Sequence, residues 1–213
     1  MRRELYDLMT DSCFQCGAVL GAPPALCAAC GAVQPFRADL SLFAVADLPE
    51  TYDLDVQALR TQVFALQKGL HPDRFAHAEP TARRHSLEWS TRLNEALAIL
   101  RDPLRRADYL LRRQGVDALG EQVKVADPTL LMTQMIYRER LEELVAARDV
   151  TGMEALRQEV DTAGVHVVQR LHRLLATLPC AEPEAAGSAV RELQFLDKLL
   201  GEIGRSAESL QNA

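Results

Sequence analysis

Two copies of one short pattern, Cys13-Phe14-Gln15-Cys16-Gly17 and Cys27-Ala28-Ala29-Cys30-Gly31, constrain the start of this 213-residue chain more than any other feature. A two-residue gap lets both thiolates of a pair reach one ion. The glycine after each pair permits a backbone turn that other residues resist. Ten residues separate the pairs, so one small fold can gather all four sulfurs. Four thiolates make a closed tetrahedral site, the arrangement of structural zinc, with no open position for a substrate water. A redox-active dithiol pair and an iron–sulfur cluster are the other uses of such residues. The fifth cysteine, Cys180, stands alone and reads as an inert, partly buried thiol. A disulfide framework would spread its cysteines through a small secreted chain, so the clustering fits a metal site in a reducing compartment. Residues 1–36 have too few apolar side chains to hold a core by themselves. Metal loss is therefore expected to unfold them and to leave the melting of the rest unchanged.

The remainder reads as helix. Aromatic residues are 5% of the chain, and Ala, Leu, Arg and Glu are abundant, which disfavours extended sheet. A net charge of −6 argues against a nucleic-acid partner, which would call for a basic face. No apolar run approaches the roughly 20 residues needed to cross a bilayer. The N-terminus lacks the apolar core of a secretion signal, and Glu4, Asp7 and Asp11 are unlike a mitochondrial presequence. A cytoplasmic protein that binds neither membrane nor nucleic acid is the expectation.

Val56, Leu59, Val63, Leu66 and Leu70 recur at helical spacing, as do Ala82, Trp89, Leu93, Ala96 and Leu100. Asp53 or Asp55 can cap the first of these helices. Two matching stripes with a short link predict an antiparallel hairpin. A shorter helical stretch, Leu104 to Arg113, follows it. Further on, Asp127-Pro128 opens one helix, Thr151 with Glu154 forms a capping box for a second, and Pro183 opens a third. The second carries Leu156, Val160, Ala163, Val167, Leu171, Leu174 and Leu178, interrupted by Gly164. The third carries Ala189, Leu193, Leu196, Leu200 and Ile203. Three long helices with short links predict a bundle.

Between the two hairpin helices lies His71-Pro72-Asp73. Proline pushes the preceding residue out of helical geometry, so a plain helix stop with polar residues in solvent is one account of it. Its position, flanked by Lys68 and Arg74, suggests a presented corner instead.

On these residues the chain resembles the J-domain co-chaperones, and more specifically the HscB family. A helix, His71-Pro72-Asp73-Arg74-Phe75 and a second helix look like a J-domain. Ser41-Leu42-Phe43, Leu48-Pro49 and Tyr52 to Leu54 are similar to the start of HscB. Leu93 to Ala96 and Leu100 to Leu111 are similar to its J-domain end. Leu131-Met132 and Phe195 to Leu199 are similar to its C-terminal domain. The cysteine segment resembles the zinc module of the longer, animal-type members. The resemblance implies a mainly α protein: a four-cysteine zinc knuckle module over 1–36, a J-domain helical hairpin over 37–116, and a C-terminal three-helix scaffold-binding domain over 117–213. It implies a co-chaperone and not an enzyme, with structural zinc held by Cys13, Cys16, Cys27 and Cys30. It also implies an IscU-type iron–sulfur scaffold as cargo and an HscA or DnaK-type ATPase as partner. His71, Pro72 and Asp73 would touch that ATPase, helped by Arg60, Lys68 and Arg74.

Helix geometry picks out a binding patch without the resemblance. At 100° per residue, Leu130, Tyr137, Leu141 and Leu144 share one face of the first bundle helix. Leu131, Met132 and Met135 fall on the other side with Glu139, Glu142 and Glu143, so that side should meet solvent. Exposed apolar clusters mark binding sites, and methionine suits adaptable contacts. Phe195 lies off its own helix's stripe and could complete the patch. Packing between domains would use the same kind of surface. By resemblance, Leu131, Met132, Met135, Glu139 and Phe195 stand where HscB proteins hold their scaffold. Ile136 stands where well-known bacterial members carry an acid. Three rivals share parts of this pattern: a zinc-ribbon nucleic-acid protein, a thiol oxidoreductase, and a general J-protein with a zinc module that presents unfolded clients. His77, His85, His166 and His172 have no metal-ligand spacing and read as surface or core-edge residues.

Overall fold

The structure, a computed structural model, describes residues 12–120 and 128–211. The described residues form helices α1 (Leu42–Val45), α2 (Val56–Leu70), α3 (Pro80–Leu100), α4 (Pro103–Arg112), α5 (Pro128–Ala146), α6 (Val150–Leu174) and α7 (Pro183–Gln211). A 3-10 helix, Pro72–Phe75, follows α2. Two isolated antiparallel bridges, Ser12 with Val19 and Leu26 with Val33, are the extended pairings among these residues. The chain divides into two compact units, Met1–Glu50 with Leu54–Asp102 and Thr51–Asp53 with Pro103–Ala213.

In the first unit the expected hairpin forms. Asp55, not Asp53, caps α2: its Oδ1 accepts from the backbone N–H groups of Gln57 at 2.8 Å and Ala58 at 3.2 Å. Such a bond satisfies donors that the first helical turn cannot pair internally. Leu59, Val63 and Leu70 of α2 are buried, as are Trp89, Leu93, Ala96 and Leu100 of α3. α3 packs against both α1 and α2.

In the second unit α5, α6 and α7 pack on one another as a bundle, with α6 and α7 the most extensive pair. The expected capping box at Thr151 and Glu154 does not form. Asp149 caps α6 instead, its Oδ1 accepting from the Gly152 N–H at 2.9 Å. Glu154 pairs with Arg157 at 2.7 Å, an i,i+3 contact within the helix that takes it away from the cap. At the start of α5, the expected capping residue Asp127 lies outside the described residues. α4 buries Arg106, Ala107, Leu110 and Leu111 and packs against α6 and α7. Tyr52 is wholly buried in this unit. The Arg106 guanidinium lies 4.8 Å from its ring centroid, and His172 meets it edge-on at 4.8 Å. Cys180 is buried, as expected of an inert thiol, and its Sγ donates to the Leu174 carbonyl at 3.3 Å.

Gly164 sits inside α6 without breaking it. A Cβ there would meet only Leu193 Cδ1, at an ordinary 3.9 Å. Gly164→Ala should therefore raise stability by about 0.5–1 kcal/mol by restricting the unfolded chain. Denaturant titration checks this, and a destabilised variant would contradict it.

Candidate functional site

The two cysteine knuckles fold alike. Gly17 and Gly31 take φ of +72° and +74°, the left-handed region glycine favours. Their N–H groups donate to the carbonyls of Cys13 and Cys27, each at 2.8 Å. The four ligand sulfurs lie within 4.8 Å of one another. Cys13 and Cys30 sulfurs are 3.7 Å apart, and Cys16 and Cys27 sulfurs 3.6 Å. Four sulfurs at about 2.3 Å from a zinc ion make a tetrahedron with edges of about 3.8 Å. A disulfide would need about 2.05 Å. The spacing therefore fits four ligands of one ion, and all four thiols are free.

Electrostatics point the same way. Burial pushes the Cys13 thiol up, but the backbone N–H groups of Cys16 and Gln15 and the thiols of Cys30 and Cys16 outweigh it and bring it down to about 6. At Cys30 the Ala32 backbone pulls downward, yet burial and the Cys16, Cys13 and Cys27 thiols push it up to about 12. Cys16 has helpful bonds from the Ala18 backbone and the Cys30 thiol, but burial and the Cys27 and Cys13 thiols raise it on balance. One thiolate forms readily, and its neighbours then resist ionising. A cation at the centre would reverse that resistance.

Gln34, which no sequence motif marks, ties the cluster together. Its Nε2 donates to Cys13 Sγ at 3.4 Å and to the Ala32 carbonyl at 2.7 Å, while its Oε1 accepts from the Phe14 N–H at 3.2 Å. Its backbone carbonyl accepts the indole N–H of buried Trp89 at 3.1 Å. Phe36 meets the same indole edge-on, centroids 5.3 Å apart. The cysteine segment is thus built into the α2–α3 hairpin. Both groups share the Trp89 core, so loss of the cysteine segment should disturb the hairpin as well.

At the corner, backbone is held and side chains are presented. The Leu70 carbonyl accepts from the hydroxyls of Ser86 at 2.7 Å and Ser90 at 3.0 Å, both on α3. Arg74 Nη1 donates to the Lys68 carbonyl at 3.2 Å. His71 Nδ1 accepts from the Asp73 N–H at 3.3 Å, so the imidazole caps the 3-10 helix that Pro72 opens. The His71 and Asp73 side chains remain 58% and 90% exposed. Arg60, Lys68 and Arg74 are also exposed. Phe64, unmarked in the sequence pattern, is 72% exposed midway between Arg60 and Lys68 on the same helical face.

On α5, Leu131, Met132 and Met135 are exposed and Leu130 and Leu141 are buried, as the 100° rotation predicts, while Tyr137 and Leu144 of the predicted stripe are half-buried and Ile136 is exposed as well. Glu139 is exposed beside them. Phe195 differs from expectation. It is 7% exposed and stacks on Tyr137 with centroids 6.4 Å apart, so it does not share the open surface. The reason is that α7 is covered by α5 as well as α6. A residue off the α6-facing stripe can therefore still be interior. Of the other histidines, His85 is buried with Nδ1 3.2 Å from Glu88 Oε2.

Residues 126–204 match the family described as HSCB C-terminal oligomerisation domain. The co-chaperone protein HscB homolog of Paraburkholderia xenovorans (strain LB400) is 40% identical over 172 residues, covering 81% of this chain and 97% of its own. Its counterpart in Burkholderia multivorans (strain ATCC 17616 / 249) is 40% identical over 171 residues, covering 80% and 96%. Among solved structures, the chaperone HscB from Vibrio cholerae has 35% identity and a TM-score of 0.69, covering 80% of this chain and 99% of that one. Human co-chaperone protein HscB has 22% identity and a TM-score of 0.80, covering 91% and 97%, which is a likeness of fold.

Proposed function

This chain belongs to the HscB family of co-chaperones, and from that membership we propose that it delivers an IscU-type iron–sulfur scaffold to an HscA or DnaK-type ATPase and stimulates its hydrolysis to promote cluster transfer. The observation that carries the reading is the His71-Pro72-Asp73 corner, whose backbone is anchored by Ser86 and Ser90 while its side chains stand in solvent. A rigidly held, exposed constellation suits recognition by a partner. His71, Pro72 and Asp73 meet the ATPase, with Arg60, Phe64, Lys68 and Arg74 widening a basic, partly apolar surface. The hydrolytic chemistry belongs to the ATPase partner. It favours the partner's hydrolysis-competent state by binding that state more tightly.

In this division of labour, residues 1–36 are the zinc module, 37–116 the J-domain and 117–213 the scaffold-binding domain. Cys13, Cys16, Cys27 and Cys30 hold the ion, which would supply only structural cohesion, since a closed thiolate set leaves no position for substrate. The protein works in the cytoplasm. No described helix is long and apolar enough to cross a membrane.

Leu131, Met132 and Met135 provide the scaffold's apolar seat, with Glu139 at its edge and Phe195 supporting it from beneath. Leu131→Ala, Met132→Ala and Met135→Ala together should weaken scaffold binding at least tenfold, roughly 1.4 kcal/mol or more. All three are exposed, so thermal stability should hold. ATPase stimulation without scaffold should also be unchanged. Calorimetric titration of the scaffold decides it, and wild-type affinity in the triple variant would contradict the reading. Phe195→Ala is no substitute, since emptying a buried aromatic site costs about 3–5 kcal/mol of stability.

A further inference from the structure

Between α5 and α7 lies a cavity of about 210 Å³ lined by Gln134, Arg138, Arg191, Gln194, Phe195 and Lys198, together with residues 118–120. It is smaller than the roughly 300 Å³ at which small-molecule sites begin, so its natural occupant is a single side chain. Helical rotation places Arg138 on the same stripe as Leu131 and Met135. Arg138 therefore stands at once in the cavity wall and on the side of α5 that carries the exposed apolar face. Phe195 lines it and is stacked on Tyr137.

Three of its lining groups are cationic in a chain of net charge −6. Among the described residues, no carboxylate lies within ion-pair distance of Arg138, Arg191 or Lys198, although Glu192 beside them is taken by Arg170. Arg191 spends one Nη1 donor on a long 3.4 Å bond to the Ala118 carbonyl. Among the described residues, its Nε is enclosed and has no hydrogen-bond partner. Buried donors are rarely left unmet, and a guanidinium fork matches a carboxylate.

We propose that this cleft is a carboxylate pocket that receives an acidic side chain of the docked scaffold, its stem against Phe195 and its oxygens between Arg191, Arg138 and Lys198. The inference rests on the scaffold-delivery reading and adds to it a charge-reading element beside the apolar seat. Such an element fixes register and sharpens partner choice.

The test titrates the scaffold into the full chain. Arg138→Gln with Lys198→Gln changes two exposed residues, and Arg191→Gln is measured alongside. Each variant should bind at least tenfold more weakly, with an unchanged melting temperature for the exposed pair. Wild-type affinity should fall as sodium chloride rises, and the exposed pair should lose most of that dependence, because exposed charges are screened. Wild-type affinity and salt dependence in the exposed pair would overturn the pocket and leave scaffold delivery standing. Loss of chaperone binding in place of scaffold binding would also overturn it. A wild-type chain that binds no scaffold would overturn both.

Discussion

His71→Gln should reduce stimulation of the partner ATPase at least tenfold, towards the chaperone's unstimulated rate, with the fold intact. The imidazole is exposed and caps only one turn, through a single bond from the Asp73 N–H. Losing a cap costs about 1 kcal/mol, and glutamine can accept the same bond in part. The corner's backbone is held by Ser86 and Ser90 and not by His71 itself. Circular dichroism should therefore match wild type while the ATPase assay does not. Undiminished stimulation would remove the corner from the partner interface.

Removal of the zinc proposed for the four-cysteine cluster should have the largest structural effect. Structural zinc is worth roughly 10–16 kcal/mol in isolated modules, comparable to the roughly 5–15 kcal/mol total stability of most domains. Cys13→Ser or Cys27→Ser each removes a buried ligand and should abolish stoichiometric zinc binding. The consequence should spread beyond residues 1–36. When Gln34 and Phe36 leave, the Trp89 indole loses its hydrogen-bond acceptor and its edge-on neighbour. An unmet buried donor costs about 1–3 kcal/mol, and water should reach the ring. Trp89 is the chain's single tryptophan, so its emission reports this directly. Chelation should shift that emission to the red and lower the hairpin's melting temperature. Unchanged emission in protein shown to be metal-free would contradict the coupling.

Periodicity carried the helices because burial follows rotation: Leu59, Val63, Trp89 and Leu93 are interior where their spacing placed them. The knuckle glycines announced their positive φ, and the sulfurs converge as the paired spacing required. What spacing within one helix cannot express is which neighbours cover it. Phe195 reads as surplus on α7 alone and becomes interior only when α5 packs over it. Competition between caps escaped for a similar reason. Asp149 and Thr151 are both plausible capping residues, and the turn before α6 brings the Asp149 carboxylate to the Gly152 N–H. The contacts of Gln34 with Cys13, Phe14 and Trp89, and of Ser86 and Ser90 with Leu70, span 16 to 55 residues, and no local pattern encodes them. The exposed face of α5 could be read because it needed only one helix and the identity of its buried side.

The proposal that one chain couples a scaffold to an ATPase is tested most directly by steady-state ATP hydrolysis of the cognate DnaK-type chaperone. The rate is measured with this protein alone, with the scaffold alone, and with both. Delivery predicts that the two together exceed the sum of their separate effects. It also predicts that the excess disappears with His71→Gln and, separately, falls with the Leu131, Met132 and Met135 triple variant. Strictly additive rates, or an excess that survives both sets of changes, would contradict it.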